Sequence, residues 1–141
     1  MPSAELENLV RVGQLKREPP VASEIKGLVR SGEARLADAD NPALSLESRF
    51  DLAYNAAHAL ALAALRLRGY RPENRFLVFQ LLPHTLGLPA GVWRVLAKGH
   101  ETRNAAEYEG SLDLDEGLVS GLVEAARAVR AALRASDLPP D

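Results

Sequence analysis

Cysteine is absent from the 141 residues, and aromatic side chains make up only 5% of them. Without thiols there are no disulfide staples, no thiolate nucleophile and no cysteine-based zinc site, so packing and polar contacts alone must hold the fold. A chain of this length can manage that, because about 68–70% of its unfolded surface is buried on folding. Neither charge sign dominates: 17 basic and 19 acidic residues leave a net charge of −2. No global field then gathers polyanions, and any contact with nucleic acid has to be local. Long hydrophobic runs are missing too. The most apolar window, residues 53–67, is broken by Asn55, His58 and Arg66 and falls short of the ~20 apolar residues that span a bilayer, so no membrane association is expected. The opening Met-Pro-Ser-Ala-Glu-Leu-Glu carries neither the positive nor the apolar section of a secretory leader, which predicts a cytoplasmic location.

What the chain does contain is leucine and alanine, roughly a third of all residues, with glycine and proline falling mostly in short connecting stretches. Ser3 is placed to cap a first helix carrying Leu6, Leu9, Val10 and Val12, and Pro19-Pro20 ends whatever regular structure begins there. A second helix is predicted over about 21–38, with Ile25, Leu28, Val29 and Leu36 along one side. Ser45 can cap a third, running to about Arg68 and ended by Gly69, whose many alanines let neighbouring helices approach closely. A short fourth helix is predicted over 73–82, between Pro72 and Pro83, and a fifth from Pro89 to Glu109, ended by Gly110. Gly99 inside that fifth helix costs ~1 kcal/mol relative to alanine and suggests a kink. Asp113 and Glu116 have the spacing of a capping box for a last helix striped by Leu118, Leu122, Ala125, Val129 and Leu133. The expectation is all-α: one domain over 1–141, an antiparallel bundle of four to five main helices with short peripheral ones. Its core spans about 21–135 and its C-terminal tail frays.

Most catalytic templates are missing. His100-Glu101 begins the zinc-protease pattern H-E-x-x-H, but Asn104 stands where the second imidazole belongs, so no metal site is expected. Glycine-rich phosphate loops and the G-x-S-x-G elbow are absent, and no cofactor is expected. His58, one turn beyond Tyr54, reads as a half-buried imidazole bonded to a neighbour, and His84 as a solvated loop residue. Arg66, Arg68, Arg71 and Arg75 cluster around the end of the third helix. Arg66 and Arg68 point roughly 200° apart, and positive charge there is favoured by the helix macrodipole, which makes the run structural. The segment from His100 to Gly110 differs in concentrating polar groups: helical geometry puts His100 on one face with Arg103 and Asn104, and Asn104 one turn from Tyr108. Spacing alone is satisfied by a solvated helix end in which Glu107 pairs with Arg103 for ~0.2–0.5 kcal/mol.

Arg103-Asn104 followed by Ala-Ala-Glu-Tyr108 resembles the R-x4-6-H signature of HEPN domains, the helical modules named for higher eukaryotes and prokaryotes nucleotide binding. The stretch Ser48-Arg-Phe-Asp-Leu-Ala-Tyr54-Asn-Ala-Ala-His58, with Gly69 after it, is similar to the long early helix of these domains. The resemblance covers about residues 45–133. It implies a helical bundle, a homodimer whose arginine motifs face a shared cleft, and either metal-independent ribonuclease activity or RNA binding, often beside a nucleotidyltransferase partner in a toxin–antitoxin or stress system. On this resemblance Arg103 stabilises charge on the phosphate and Asn104 is its polar neighbour. Tyr108 stands at the motif histidine, and a phenol with a pKa near ~10 is a poor general base at neutral pH. The expected function is therefore a catalytically degenerate or weak module binding RNA or a nucleotide through Arg103, Asn104 and Tyr108. The alternatives are an endoribonuclease using Arg103 with His100 or Tyr108, and a non-enzymatic protein-interaction bundle. Gly110 stands where some members carry a tyrosine that receives adenylate, so that modification is not expected.

Overall fold

In the computed structural model, residues 4–109 and 114–139 are described, the side chains of 107–109 excepted. In chain order the elements are α1 (Ala4–Arg11), β1 (Leu15–Arg17), α2 (Ala22–Ala39), α3 (Leu46–Leu67), β2 (Tyr70–Pro72), α4 (Leu77–Gln80), α5 (Leu82–Thr85), α6 (Ala90–Glu109) and α7 (Glu116–Arg134). The all-α expectation holds: α2, α3, α6 and α7 are the long helices, and α1, α4 and α5 are short. Among the described residues no helix is long and apolar enough to cross a membrane.

The bundle is built around α3. The Ser45 hydroxyl accepts a hydrogen bond from the Ser48 amide at 3.1 Å and satisfies one of the orphan donors of the first turn. At the other end Gly69 takes φ of +90°, a left-handed conformation that glycine adopts without strain, and the helix stops. Between them α3 buries Phe50, Tyr54, Leu60, Leu65 and a run of alanines, because α2 and α7 both pack along it. Small residues set those spacings. A methyl group on Gly32 of α2 would lie 2.7 Å from Leu60 Cγ and 3.2 Å from the Ala56 carbonyl oxygen, so only glycine lets the two helices meet there. Gly99 serves α6 in the same way, its missing methyl leaving room for Leu122 of α7 at 2.7 Å. That glycine marks a close approach, and α6 runs unbroken from Ala90 to Glu109.

Two further expectations give way. The segment 73–82 is not one helix. Tyr70–Pro72 pairs antiparallel with Leu15–Arg17, Lys16 opposite Arg71, and only then does the Asn74 side chain accept from the Leu77 amide at 3.1 Å to open α4. Pro83 sits in the first turn of a separate α5, where its missing N–H costs nothing. The last helix is capped by Asp115, whose Oδ1 accepts from the Leu118 amide at 2.8 Å, two residues after the position the capping-box spacing suggests. Ser3, Gly110 and Asp113 lie outside the described residues.

The small sheet is fastened to α3 by a buried guanidinium. Arg66 has no exposed surface. Its Nε donates to Glu24 at 2.7 Å, and its two terminal nitrogens donate to the backbone carbonyls of Glu18, Pro19 and Tyr70 at 2.9, 2.8 and 3.2 Å. Arg71 closes the ring from outside, donating to Glu18 and Glu24 at 2.7 Å each. Arg71 holds the Glu18 carboxyl below its ordinary range, and Arg66, then Arg71, do the same for Glu24. Arg66 and Arg71 are structural, as expected of the basic run, but through ion pairs and carbonyl bonds more than through the helix dipole. Arg68, on the opposite face, donates to the Thr85 carbonyl at 3.2 and 3.0 Å.

Candidate functional site

The packing of α6 against α3 decides where its polar residues go. His100 is half-buried, and both ring nitrogens are bonded: Nδ1 lies 3.0 Å from the Tyr54 hydroxyl of α3, and Nε2 lies 3.1 Å from the Asn104 amide nitrogen one turn along. With the amide donating to Nε2, the ring is the neutral Nδ1–H tautomer and donates to the tyrosine oxygen. Phe76 covers the imidazole, its ring centroid 5.1 Å away. Tyr54 itself is wholly buried between Phe50, Phe79 and His100, so its hydroxyl is held by its surroundings.

Two guanidiniums converge on that tyrosine. Arg103 of α6 lies 5.3 Å from the ring centroid, and Arg75, in the loop before α4, lies 5.9 Å from it. Both are within cation–π range. Arg75 is exposed; among the described residues it donates to Asn55 Oδ1 at 3.4 Å, and no carboxylate pairs with it. This separates it from Arg66 and Arg71, which are ion-paired with Glu18 and Glu24. Arg75 lies well beyond the end of α3 at Leu67, so the helix-dipole account of the basic run does not extend to it.

His58 follows on the same face of α3, edge-on to Phe79 at 6.0 Å. Its pKa is pushed down to about 4, first by burial and then by the nearby positive charge of Arg75 and Arg103. The imidazole is therefore neutral at ordinary pH and lies in a basic field. The expected hydrogen bond to a neighbour is not found among the described residues; the ring instead lines a hollow beside Arg75. His84 is exposed, as expected of a loop residue, although it lies in α5, 3.7 Å from a Glu5 carboxylate oxygen.

Of the residues singled out by sequence, the structure brings His100, Arg103 and Asn104 together. Tyr108 belongs to α6 by its backbone, and its side chain lies outside the described part. Tyr54, Asn55, His58 and Arg75 complete the cluster. Tyr54 and His58 are visible in the sequence as a one-turn pair on α3, but nothing local ties them to α6, since Tyr54 and His100 are 46 positions apart. The arrangement offers two guanidiniums, a fixed neutral imidazole, a carboxamide and an aromatic base: donors and cations suited to an anion, on a rigid support. Comparison with known proteins gives no match to a family model, a curated protein or a solved structure.

Proposed function

We propose that this chain is a HEPN-like helical module that binds RNA or a nucleotide by its phosphate, with little or no catalysis of its own. The observation that carries this reading is the convergence of Arg75 and Arg103 on Tyr54, beside an imidazole held from both sides. Guanidiniums present planar sets of donors that match phosphate oxygens, and the face of a buried aromatic ring holds such a cation in position. His100 favours binding over acid–base chemistry. With the Asn104 amide nitrogen bonded to Nε2 and Tyr54 to Nδ1, the ring contributes shape and polarity, and neither nitrogen is left poised to take a substrate proton. A homodimer, bringing two copies of Arg103 to one cleft, is part of the same proposal.

The test is fluorescence anisotropy of a labelled single-stranded oligoribonucleotide titrated with the protein across a salt series. Binding weakens as salt rises, and Arg75→Ala and Arg103→Ala each lower the slope of log affinity against log salt by about 0.7 for every phosphate no longer neutralised. Affinity indifferent to salt, or unchanged in both variants, overturns the reading. Cleavage products that vanish in Arg103→Ala establish the endoribonuclease in its place. Light scattering that shows only monomer removes the shared cleft while leaving a one-subunit phosphate site testable by the same titration.

A further inference from the structure

Beside the arginines lies a hollow of about 240 Å³. Its floor and walls come from His58 and Leu62 of α3, Pro72 of β2 and the loop that carries Arg75. The surrounding charges are mostly spent. Arg71, which forms one wall, is held by Glu18 and Glu24, and Glu73 at the edge has Lys16 at 3.9 Å. Asn74 also lines the hollow, its side-chain oxygen taken by the Leu77 amide, and two further groups can meet a ligand. One is Arg75, whose guanidinium is held by a neutral amide and an aromatic face. The other is His58, a neutral ring with one donor and one acceptor and no hydrogen bond among the described residues. The apolar part of the lining is the Leu62 side chain and the Pro72 ring.

A ligand that satisfies these features has a flat, largely apolar body with a polar edge, joined to an anion. The hollow is smaller than the roughly 300–1,000 Å³ of sites that enclose drug-sized molecules, which leaves space for a base and its sugar while the phosphate lies outside. Arg75 is at that outer edge, and Arg103 reaches the same tyrosine ring from α6.

We infer that the hollow takes one unpaired nucleobase, with Arg75 on the phosphate beside it, so that the module binds single-stranded RNA and reads at least one base through His58. The inference rests on the phosphate-binding reading above and adds to it a base subsite and a strand preference. In a duplex the polar edge of each base is already used and its faces are stacked, so the hollow has nothing to receive.

Three labelled probes of equal length distinguish the possibilities: a single-stranded oligoribonucleotide, the same phosphodiester backbone without bases, and a blunt RNA duplex. The single strand is expected to bind roughly tenfold more tightly than the abasic backbone, in keeping with one base stacked in a protein site, and more tightly than the duplex. His58→Ala removes that preference, bringing the single strand down to the affinity of the abasic backbone. Leu62→Trp, one turn along the same face of α3, fills the hollow, removes the preference likewise and covers the case in which His58→Ala fails to fold. Arg103→Ala weakens the single strand and the abasic backbone alike. Equal affinity for the single strand and the abasic backbone, or a base preference that survives both hollow variants, overturns the base subsite and leaves the phosphate site standing. Failure of all three probes to bind overturns both.

Discussion

Replacing Arg66 by methionine tests how the chain closes. The side chain has no exposed surface and serves two carboxylates and three backbone carbonyls, with Glu24 at 2.7 Å and the carbonyls of Pro19, Glu18 and Tyr70 at 2.8, 2.9 and 3.2 Å. Methionine keeps much of the volume and removes every donor, so carbonyls that cannot all reach water are left without partners. Removing one member of a buried ion pair typically costs about 3–5 kcal/mol, chiefly because the other members stay desolvated. Glu18 and Glu24 retain Arg71 and are 42% and 29% exposed, which keeps the expected loss within that range and not above it. In urea unfolding followed by circular dichroism, a loss of that size moves the midpoint down by roughly 1.5–2.5 M at a slope of about 2 kcal/mol/M. The control is Arg71→Met, which takes a guanidinium from the same two carboxylates but at 37% exposure, and should cost about 1 kcal/mol or less. Should Arg66→Met leave too little folded protein, Arg66→Lys keeps the charge with only three donors on a single nitrogen and is expected between the two. Equal midpoint shifts for the Arg66 and Arg71 substitutions would refute the argument, since the two differ in burial and in the carbonyls they serve.

Two further outcomes follow from packing and titration. Gly32→Ala should lower stability by about 1–2 kcal/mol in thermal unfolding, overpacking against Leu60 and the Ala56 carbonyl outweighing the gain in helix propensity. Gly27→Ala, in the same helix with nothing within 4 Å, should raise it by about 0.5–1 kcal/mol; a gain at both sites would show that the approach at Gly32 is not tight. The folded pKa of His58 lies below its ordinary value, about 4 against 6.5. Between those pH values the unfolded chain therefore binds a proton that the folded chain refuses. Stability falls as pH drops through that window, by about 2 kcal/mol between pH 7 and 5, and the effect levels off below about 4. His58→Gln should flatten that part of the profile, and an unchanged slope from pH 7 to 5 would contradict the burial of a neutral ring. Glu7, Glu18, Glu24 and Glu33 also have lowered pKa values, each held mainly by hydrogen bonds from arginine. Their contribution is complete above the ordinary carboxylate range and is lost as pH falls through the folded values, so a second decline in more acid solution should persist in His58→Gln.

Much of this architecture is local and therefore readable. Ser45 and Gly69 bound α3 as their chemistry predicts, and the stripe through Leu122, Ala125, Val129 and Leu133 is the buried face of α7. The one-turn spacing of His100 and Asn104 is realised as a bond at 3.1 Å. At the fourth helix, at Gly99 and along the arginine run, expectation and structure part because of a distant partner. The segment 73–82 carries helix-forming residues, but its approach is taken by strand pairing with residues more than fifty positions earlier, which no window of sequence contains. Propensity alone assigns Gly99 a kink, whereas its role is set by Leu122 on another helix. The four arginines between residues 66 and 75 look equivalent in one dimension. In space Arg66 is buried in a clamp, Arg68 reaches the Thr85 carbonyl, Arg71 seals the clamp from outside, and Arg75 is left for the site.

Residue order by itself determined the helical class, the long alanine-rich helix and the presence of one polar face near the end of α6, because each depends on hydrogen bonds and side-chain spacings within a few residues. Tertiary structure alone decided which arginine is neutralised and which is available, that Tyr54 supports His100, and that a hollow opens beside His58. Those outcomes depend on desolvation and on contacts between groups tens of positions apart, and neither exists until the helices have packed.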